Sequence, residues 1–237
     1  PLVLLDRPNP NGFYVDGPVL EAEYSSFVGM HPVPVVYGMT IGEYGSMVNG
    51  EHWLKNGVRC DLRVVMLAGY NHHTKCTLPV KPSPNLPNIN AVYLYPSLCL
   101  FEGTIISIGR GTPFPFEVFG HPGLKTGTFD FSPSSVPGAS LHPPFEGQVC
   151  HGTDLRGYMQ EHPEKQGRME LSWLLGAFLS LGGEPGFFTA YFNKLAGNAT
   201  LQRQVREGKP EKEIRASWKT GIDKFMKTRK KYLMYKE

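Results

Sequence analysis

The stretch Leu2-Val3-Leu4-Leu5-Asp6-Arg7-Pro8-Asn9-Pro10-Asn11-Gly12 decides how the rest of the chain is read. Four consecutive apolar residues stop at an acid, and the Pro, Asn and Gly that follow favour a loop over a longer strand. A short continuous apolar run bounded by turn residues suits a strand buried on both faces of a parallel sheet. Leu62 to Ala68 (LRVVMLA) is the other segment of this kind. Between them, Tyr37 to Trp53 reads as a helix, with Thr40 as N-cap and Glu43 three residues later in capping-box spacing. Strand, loop, helix, strand predicts a right-handed βαβ crossover in an open α/β sheet, where ligands collect at loops beyond the carboxyl ends of strands. Asp6 and Arg7 stand at that edge. A two-stranded sheet has too little apolar surface to stand alone. Further strands and helices are therefore expected before Pro1, in keeping with the lack of an initiating Met and of a signal-peptide pattern.

Further along, Pro79, Pro82, Pro84 and Pro87 stiffen the chain and exclude regular helix, which marks a boundary between units 1–86 and 87–237. Ala91 to Phe101 (AVYLYPSLCLF) is apolar but of undecided type, because Pro96 suits a helix start and not its middle; Gly103 could end it. From Ile105 to about Gly152, short apolar pieces alternate with Gly and Pro, a pattern of short strands and turns. Helical patterns then cover Met169 to Leu181, Phe187 to Leu195 and Glu211 to Tyr235. In the last, Ile214, Trp218, Ile222, Phe225 and Leu233 mark the buried face.

Composition narrows the class. The chain has 237 residues, 41% of them hydrophobic, enough for a sizeable core. A net charge of +3, from 24 Lys and Arg against 21 Asp and Glu, predicts no phosphate-tracking surface, so nucleic acid is not expected as a partner. No apolar run approaches the roughly 20 residues of a transmembrane helix. Cys60, Cys76, Cys99 and Cys150 form no C-x-x-C pair, and His72, His73 and Cys76 belong to no complete ligand set, so neither a metal nor another cofactor is expected.

Several strings in order carry a resemblance: Leu5-Asp6-Arg7-Pro8-Asn9-Pro10-Asn11-Gly12, Asp16-Gly17-Pro18, Phe27-Val28-Gly29-Met30-His31-Pro32, Gly38-Met39-Thr40-Ile41-Gly42-Glu43, Pro82-Ser83-Pro84-Asn85-Leu86-Pro87, Glu102-Gly103-Thr104, Gly109-Arg110-Gly111-Thr112 and Pro115-Phe116-Glu117. Together they resemble the NamZ-like exo-β-N-acetylmuramidases, formerly a domain family of unknown function, from residue 3 to the closing Tyr232-Leu233-Met234-Tyr235. The resemblance implies an α/β chain: the C-terminal part of a Rossmann-like parallel-sheet domain over 1–86, then an auxiliary α+β domain over 87–237. It implies a periplasmic or secreted bacterial glycoside hydrolase whose interdomain cleft receives the non-reducing end of a peptidoglycan glycan or muropeptide. Terminal N-acetylmuramic acid is then released, in wall degradation or muropeptide recycling. The family's acid lies in a Pro-Glu-His-Gly type motif before the strand that opens this chain. That motif is absent here, so the missing N-terminal half of the Rossmann-like domain is an expected partner and the segment alone is expected to be inactive. Ile105 and Ile106 replace a pair in which many relatives carry Asn.

Glycoside cleavage usually requires two carboxyl groups roughly 5 to 10 Å apart. Glu102 is the catalytic candidate from this chain, with Glu117 next, against the plain reading of a surface carboxylate. Glu43 reads as the helix cap. The lactyl carboxylate of N-acetylmuramic acid calls for an Arg fork, which nominates Arg110, set between two glycines, and Arg7. The loops Asp6 to Gly12, Pro82 to Pro87 and Glu102 to Thr112 supply the remaining substrate-binding candidates: Asp6, Asn9, Ser83, Asn85, Thr104 and Thr112, joined by His31. Each has a bland alternative. Asp6 could cap nearby N–H groups or pair with Arg7, and Asn9 could only shape a turn. Trp53, Tyr70, Tyr93 and Tyr95 are candidate sugar platforms, Trp173 and Trp218 read as core, and Lys224 to Lys231 reads as a solvated helix face. Two other classes stay open: a non-catalytic wall-carbohydrate-binding module, and an α/β esterase, although no G-x-S-x-G elbow is present.

Overall fold

The opening apolar run forms β1 (Leu2–Leu5). In the computed structural model, which describes residues 1–237, it is followed by β2 (Asp16–Val19), β3 (Pro34–Val36), α1 (Ile41–Gly50) and β4 (Leu62–Val65). β1 pairs with β4 in parallel, Leu2 opposite Leu62 and Leu5 opposite Val65, the pairing that strand–helix–strand order predicts. β2 and β3 form a separate antiparallel pair. α1 begins with the expected capping box: Thr40 Oγ1 accepts from the Glu43 N–H, and the Glu43 carboxylate accepts from the Thr40 N–H. The helix is shorter than the stretch 37–53, because Thr40 is held extended as the cap and Glu51 closes the last turn. It lies very close to the sheet. A Cβ on Gly42 would fall 2.6 Å from Val64 Cγ1, and one on Gly45 2.7 Å from Leu4 Cδ1.

Burial of β1 on both faces is not what the structure shows. α1 covers one face, while Leu2, Val3 and Leu5 are 50%, 54% and 73% exposed. A sheet two strands wide, with one helix against it, covers one side only. β4 also stops at Val65, short of Ala68, since the Leu67 N–H donates to the Tyr235 hydroxyl.

The undecided segment is helical: α2 (Ile89–Leu98) is capped by Asn88, whose side chain accepts from the Ala91 N–H, and it passes into a 3-10 turn over Cys99–Gly103. Pro96 lies inside it, against expectation. Proline deprives the Val92 carbonyl of its i+4 donor, and Asn11 Nδ2 from the β1 loop donates to that carbonyl at 2.9 Å. The β-rich stretch yields β5 (Val118–His121), β6 (Phe129–Phe131) and β7 (Cys150–Asp154), an antiparallel sheet with β7 in the middle. α3 (Tyr158–Glu161), α4 (Ser172–Ser180), α5 (Phe192–Ala196), α6 (Thr200–Arg206) and α7 (Glu211–Arg229) complete the chain. Residues 188–191 are not helical as expected; Ile105 N–H donates to the Phe187 carbonyl, and the 104 and 188 backbones bridge.

Most buried apolar side chains form one cluster that runs from α2 through β5 and α4 to the first half of α7, with Phe101, Phe116, Phe187, Phe192 and Trp218 among its large members. Met39, Met47 and Phe225 form a second cluster between α1 and the second half of α7. α7 therefore ties the two ends of the chain together: Ile214 and Trp218 serve one core and Phe225 the other, each worth about 1.5–3 kcal/mol of burial. The helix stops at Arg229 and not at Tyr235, because the tail turns back onto α1. Arg229, inside the basic run read as solvated, is 3% exposed and donates twice to the Gly38 carbonyl.

Candidate functional site

Glu102 ends the apolar α2 segment in a tight 3-10 turn, and Arg110 sits between Gly109 and Gly111, both at positive φ (74° and 83°). Only glycine takes that backbone without strain, so the turn projects Arg110 back toward Glu102. The guanidinium donates to Glu102 Oε2 at 2.6 Å and lies 5.2 Å from the centre of the Phe116 ring. Both side chains are partly open, 31% for Arg110 and 22% for Glu102.

This ion pair lines a cavity of about 380 Å³. Val28 to His31, residues of β3, Tyr37, and Tyr44 on α1 line it as well, and Tyr95, Tyr191 and Lys194 add to the polar lining. His31 Nδ1 lies 2.7 Å from the Tyr44 hydroxyl, and its ring stacks on Trp53. Burial lowers the His31 pKa, so the ring is neutral near neutral pH. Burial, then the neighbouring Tyr37, pushes Tyr44 up to about 12. The Cys99 thiol is pushed up to about 12 by burial and then by the Glu102 charge, which keeps it protonated. Lys194 forms no ion pair, so the lining has two fixed cations, Arg110 and Lys194, against one carboxylate, Glu102.

Three of the site residues read from the sequence, His31, Glu102 and Arg110, thus meet in one cavity, and the rest do not line it. Asp6 is 8% exposed, and its carboxylate accepts from the Arg7 and Gly42 N–H groups, the Thr40 hydroxyl and the Tyr235 hydroxyl, at 2.9, 2.8, 2.7 and 2.6 Å. No Asp6–Arg7 side-chain ion pair forms, and Arg7 is exposed. Asn9 donates to the Met39 carbonyl and accepts from the Asn11 N–H. Ser83 accepts from the Asn85 N–H, and buried Asn85 donates to the Ala139 carbonyl. Thr104 and Thr112 bond the carbonyls of Phe101 and Gly109. These short polar side chains satisfy turn backbone, a competing use of the same residue types. Glu117 is buried and accepts from Asn88 and Asn90. Of the aromatic candidates only Tyr95 lines the cavity. Trp53 packs on His31, Tyr70 on Tyr235 and Tyr93 on Phe13. Tyr44, Tyr191 and Lys194 were not legible as site residues, since folding alone brings α1 and α5 to the Glu102 turn.

A second polar cluster fills the carboxyl end of β1. The Glu43 carboxylate accepts from Thr40 N–H, from His72 Nε2 at 3.0 Å and from the Met234 N–H at 2.8 Å. His72 Nδ1 faces the Gly12 carbonyl at 3.0 Å. Both ring nitrogens therefore face acceptors, which requires imidazolium. The Glu43 hydrogen bond raises the His72 pKa, against burial. For Glu43, burial opposes ionisation, and the bonds from His72, Thr40 and Met234 outweigh it, leaving the pKa below its ordinary value. The edge where open α/β sheets usually bind ligands is occupied here by the chain's own residues 234–236. No three His, Cys, Asp or Glu side chains converge as a metal site would require.

Comparison with known proteins agrees along the whole chain. The family model described as "Exo-beta-N-acetylmuramidase NamZ, N-terminal" matches residues 1–90, and its C-terminal counterpart matches residues 93–235. The chain is 37% identical over 252 residues to the peptidoglycan β-N-acetylmuramidase NamZ of Bacillus subtilis (strain 168), covering 99% of this chain and 59% of that protein. It is 46% identical to a DUF1343 family protein of Bacteroides fragilis NCTC 9343, whose crystal structure matches with a TM-score of 0.95 over 99% of this chain and 66% of that one. A second DUF1343 family protein of the same organism, 21% identical with a TM-score of 0.72 over the same shares, has the same fold. The chain spans about three-fifths of the length of the curated relative.

Proposed function

The chain belongs to the NamZ exo-β-N-acetylmuramidase family, and from that premise we propose that it forms the substrate-holding part of a peptidoglycan-acting glycoside hydrolase. Its substrate is the terminal N-acetylmuramic acid at the non-reducing end of a wall glycan or muropeptide. The cavity beside the Glu102–Arg110 pair takes that sugar. The observation that carries this reading is the lining's charge: two cations against one carboxylate favour an anionic ligand, and the lactyl carboxylate distinguishes N-acetylmuramic acid from N-acetylglucosamine. Arg110 offers its remaining N–H groups to that carboxylate, and His31 Nε2 offers a polar contact to a hydroxyl. Glu102, held by Arg110, serves as the carboxylate that orients water or steadies positive charge at the anomeric carbon. The proton donor lies outside this lining, where Glu102 is the one acid. We assign the protein to the periplasm or exterior, where its substrate is built.

The lone carboxylate also favours a second reading, a wall-carbohydrate-binding module without catalysis. Two measurements separate them: calorimetric titration of the chain with N-acetylmuramic acid, and chromophore release from a chromogenic N-acetylmuramide by the full-length parent protein. Saturable binding with release supports the hydrolase, and binding without release leaves the module. Equal binding of N-acetylmuramic acid and N-acetylglucosamine would sink the charge argument that underlies both.

A further inference from the structure

The hairpin between β2 and β3 carries a feature that the cavity alone does not require. Ser26 N–H donates to the Gly29 carbonyl at 2.8 Å and Gly29 N–H to the Ser26 carbonyl at 3.1 Å, so Phe27 and Val28 stand at the tip of a two-residue turn. The Ser25 hydroxyl bonds the Met30 carbonyl and closes the base. With Ser26 and Gly29 at its ends and no positive φ at its centre, the turn has central positions that accept most residues. Here they hold a phenylalanine that is 97% exposed and a β-branched valine that is 50% exposed, with Met30 at 65%. Three large apolar side chains left in solvent, on a segment pinned by three hydrogen bonds, are expected where function compensates for the exposure.

The position says what that function is. Val28, Gly29, Met30 and His31 line the same cavity as Glu102 and Arg110, and Phe27 directly precedes them without lining it. A volume of about 380 Å³ is near the lower end of ligand sites, roughly 300–1000 Å³; it suits one substituted amino sugar. The next sugar of a glycan then lies outside, at the mouth. Its axial C–H face is apolar and flat, and a rigid exposed aromatic ring is the side chain that matches it with little ordering cost.

We propose that Phe27 is the platform of an outer subsite, which stacks on the N-acetylglucosamine that follows the terminal N-acetylmuramic acid and makes the site select chains over free monosaccharide. This rests on the assignment of the cavity to N-acetylmuramic acid.

The test is calorimetry on the 237-residue chain and on Phe27→Ala and Phe27→Trp, with two probes: N-acetylmuramic acid, and the disaccharide of N-acetylmuramic acid β-1,4-linked to N-acetylglucosamine. Phe27→Ala, at a fully exposed position, is expected to weaken the disaccharide about tenfold, to leave the monosaccharide unchanged, and to be rescued by Trp. Unchanged disaccharide binding, or equal loss for both probes, overturns the platform while leaving the cavity assignment standing. Conversion of a dimer to a monomer by Phe27→Ala with unaltered sugar binding makes the tip a self-association contact and overturns it as well. Failure of the unsubstituted chain to bind either probe removes the cavity assignment, and the platform with it.

Discussion

Replacing Glu43 by Gln keeps the shape of a fully buried side chain and removes its charge. The carboxylate accepts from groups on three different segments: Thr40 N–H at the start of α1, His72 Nε2 in the loop after β4, and the Met234 and Tyr235 N–H groups in the tail. A glutamine has one acceptor oxygen and a donor NH₂, so the amide must face at least one of these donors. One stranded buried donor costs about 1–3 kcal/mol, and breaking a buried ion pair about 3–5 kcal/mol. His72 can escape part of this by losing its proton, so the cost depends on pH. In the parent, the raised His72 pKa contributes stability that is fully present below its ordinary value of 6.5 and is lost as pH rises through the folded value. The lowered Glu43 pKa contributes stability present above 4.5 and lost as pH falls through its folded value. The pair therefore contributes most between these two ordinary values. Urea denaturation followed by tryptophan fluorescence should show Glu43→Gln destabilised by about 3 kcal/mol or more at about pH 5.5 and clearly less at about pH 8.5. A loss under about 1 kcal/mol, or the same loss at both pH values, would refute the imidazolium–carboxylate pair.

Tyr235→Phe removes a hydroxyl that donates to Asp6 and accepts from Leu67 N–H; it should cost about 1–3 kcal/mol and speed amide exchange at Leu67 and His72 before the rest of the chain. Arg110→Ala should weaken binding of N-acetylmuramic acid more than of N-acetylglucosamine in calorimetry; equal losses would remove Arg110 from carboxylate recognition. Gly152→Ala would set a Cβ 1.9 Å from the Phe119 carbonyl oxygen, forcing β5 from β7, and should cost about 3 kcal/mol or more in thermal unfolding. Gly176→Ala on α4 meets nothing within 4 Å and should be neutral or stabilising by up to about 1 kcal/mol.

The particular elements differ in how far the chain foretold them. The capping box at Thr40 and Glu43 was legible because its donors and acceptors lie within four residues. So was the parallel pairing of β1 with β4, which follows from element order. The helical place of Pro96 is not legible in the sequence because its tolerance depends on Asn11, more than eighty residues away, which satisfies the carbonyl that the proline leaves bare. In the sequence Asp6 fits a substrate-binding loop at a strand end as well as it fits a cap, yet three of its four donors come from Thr40, Gly42 and Tyr235. The cavity was half legible: His31, Glu102 and Arg110 stood in unusual strings, whereas Tyr44, Tyr191 and Lys194 stood in ordinary helical ones.

By itself the amino-acid order determined the local matters: where strands and helices begin, which glycines flank Arg110, and the family whose strings the chain carries. Only the tertiary structure decided which polar groups are already consumed and which remain for a ligand. A carboxylate reads the same in a sequence whether its oxygens meet four protein donors, as in Asp6, or one arginine at the edge of a cavity, as in Glu102. Long-range packing supplies those partners, and it leaves no local pattern from which they can be read.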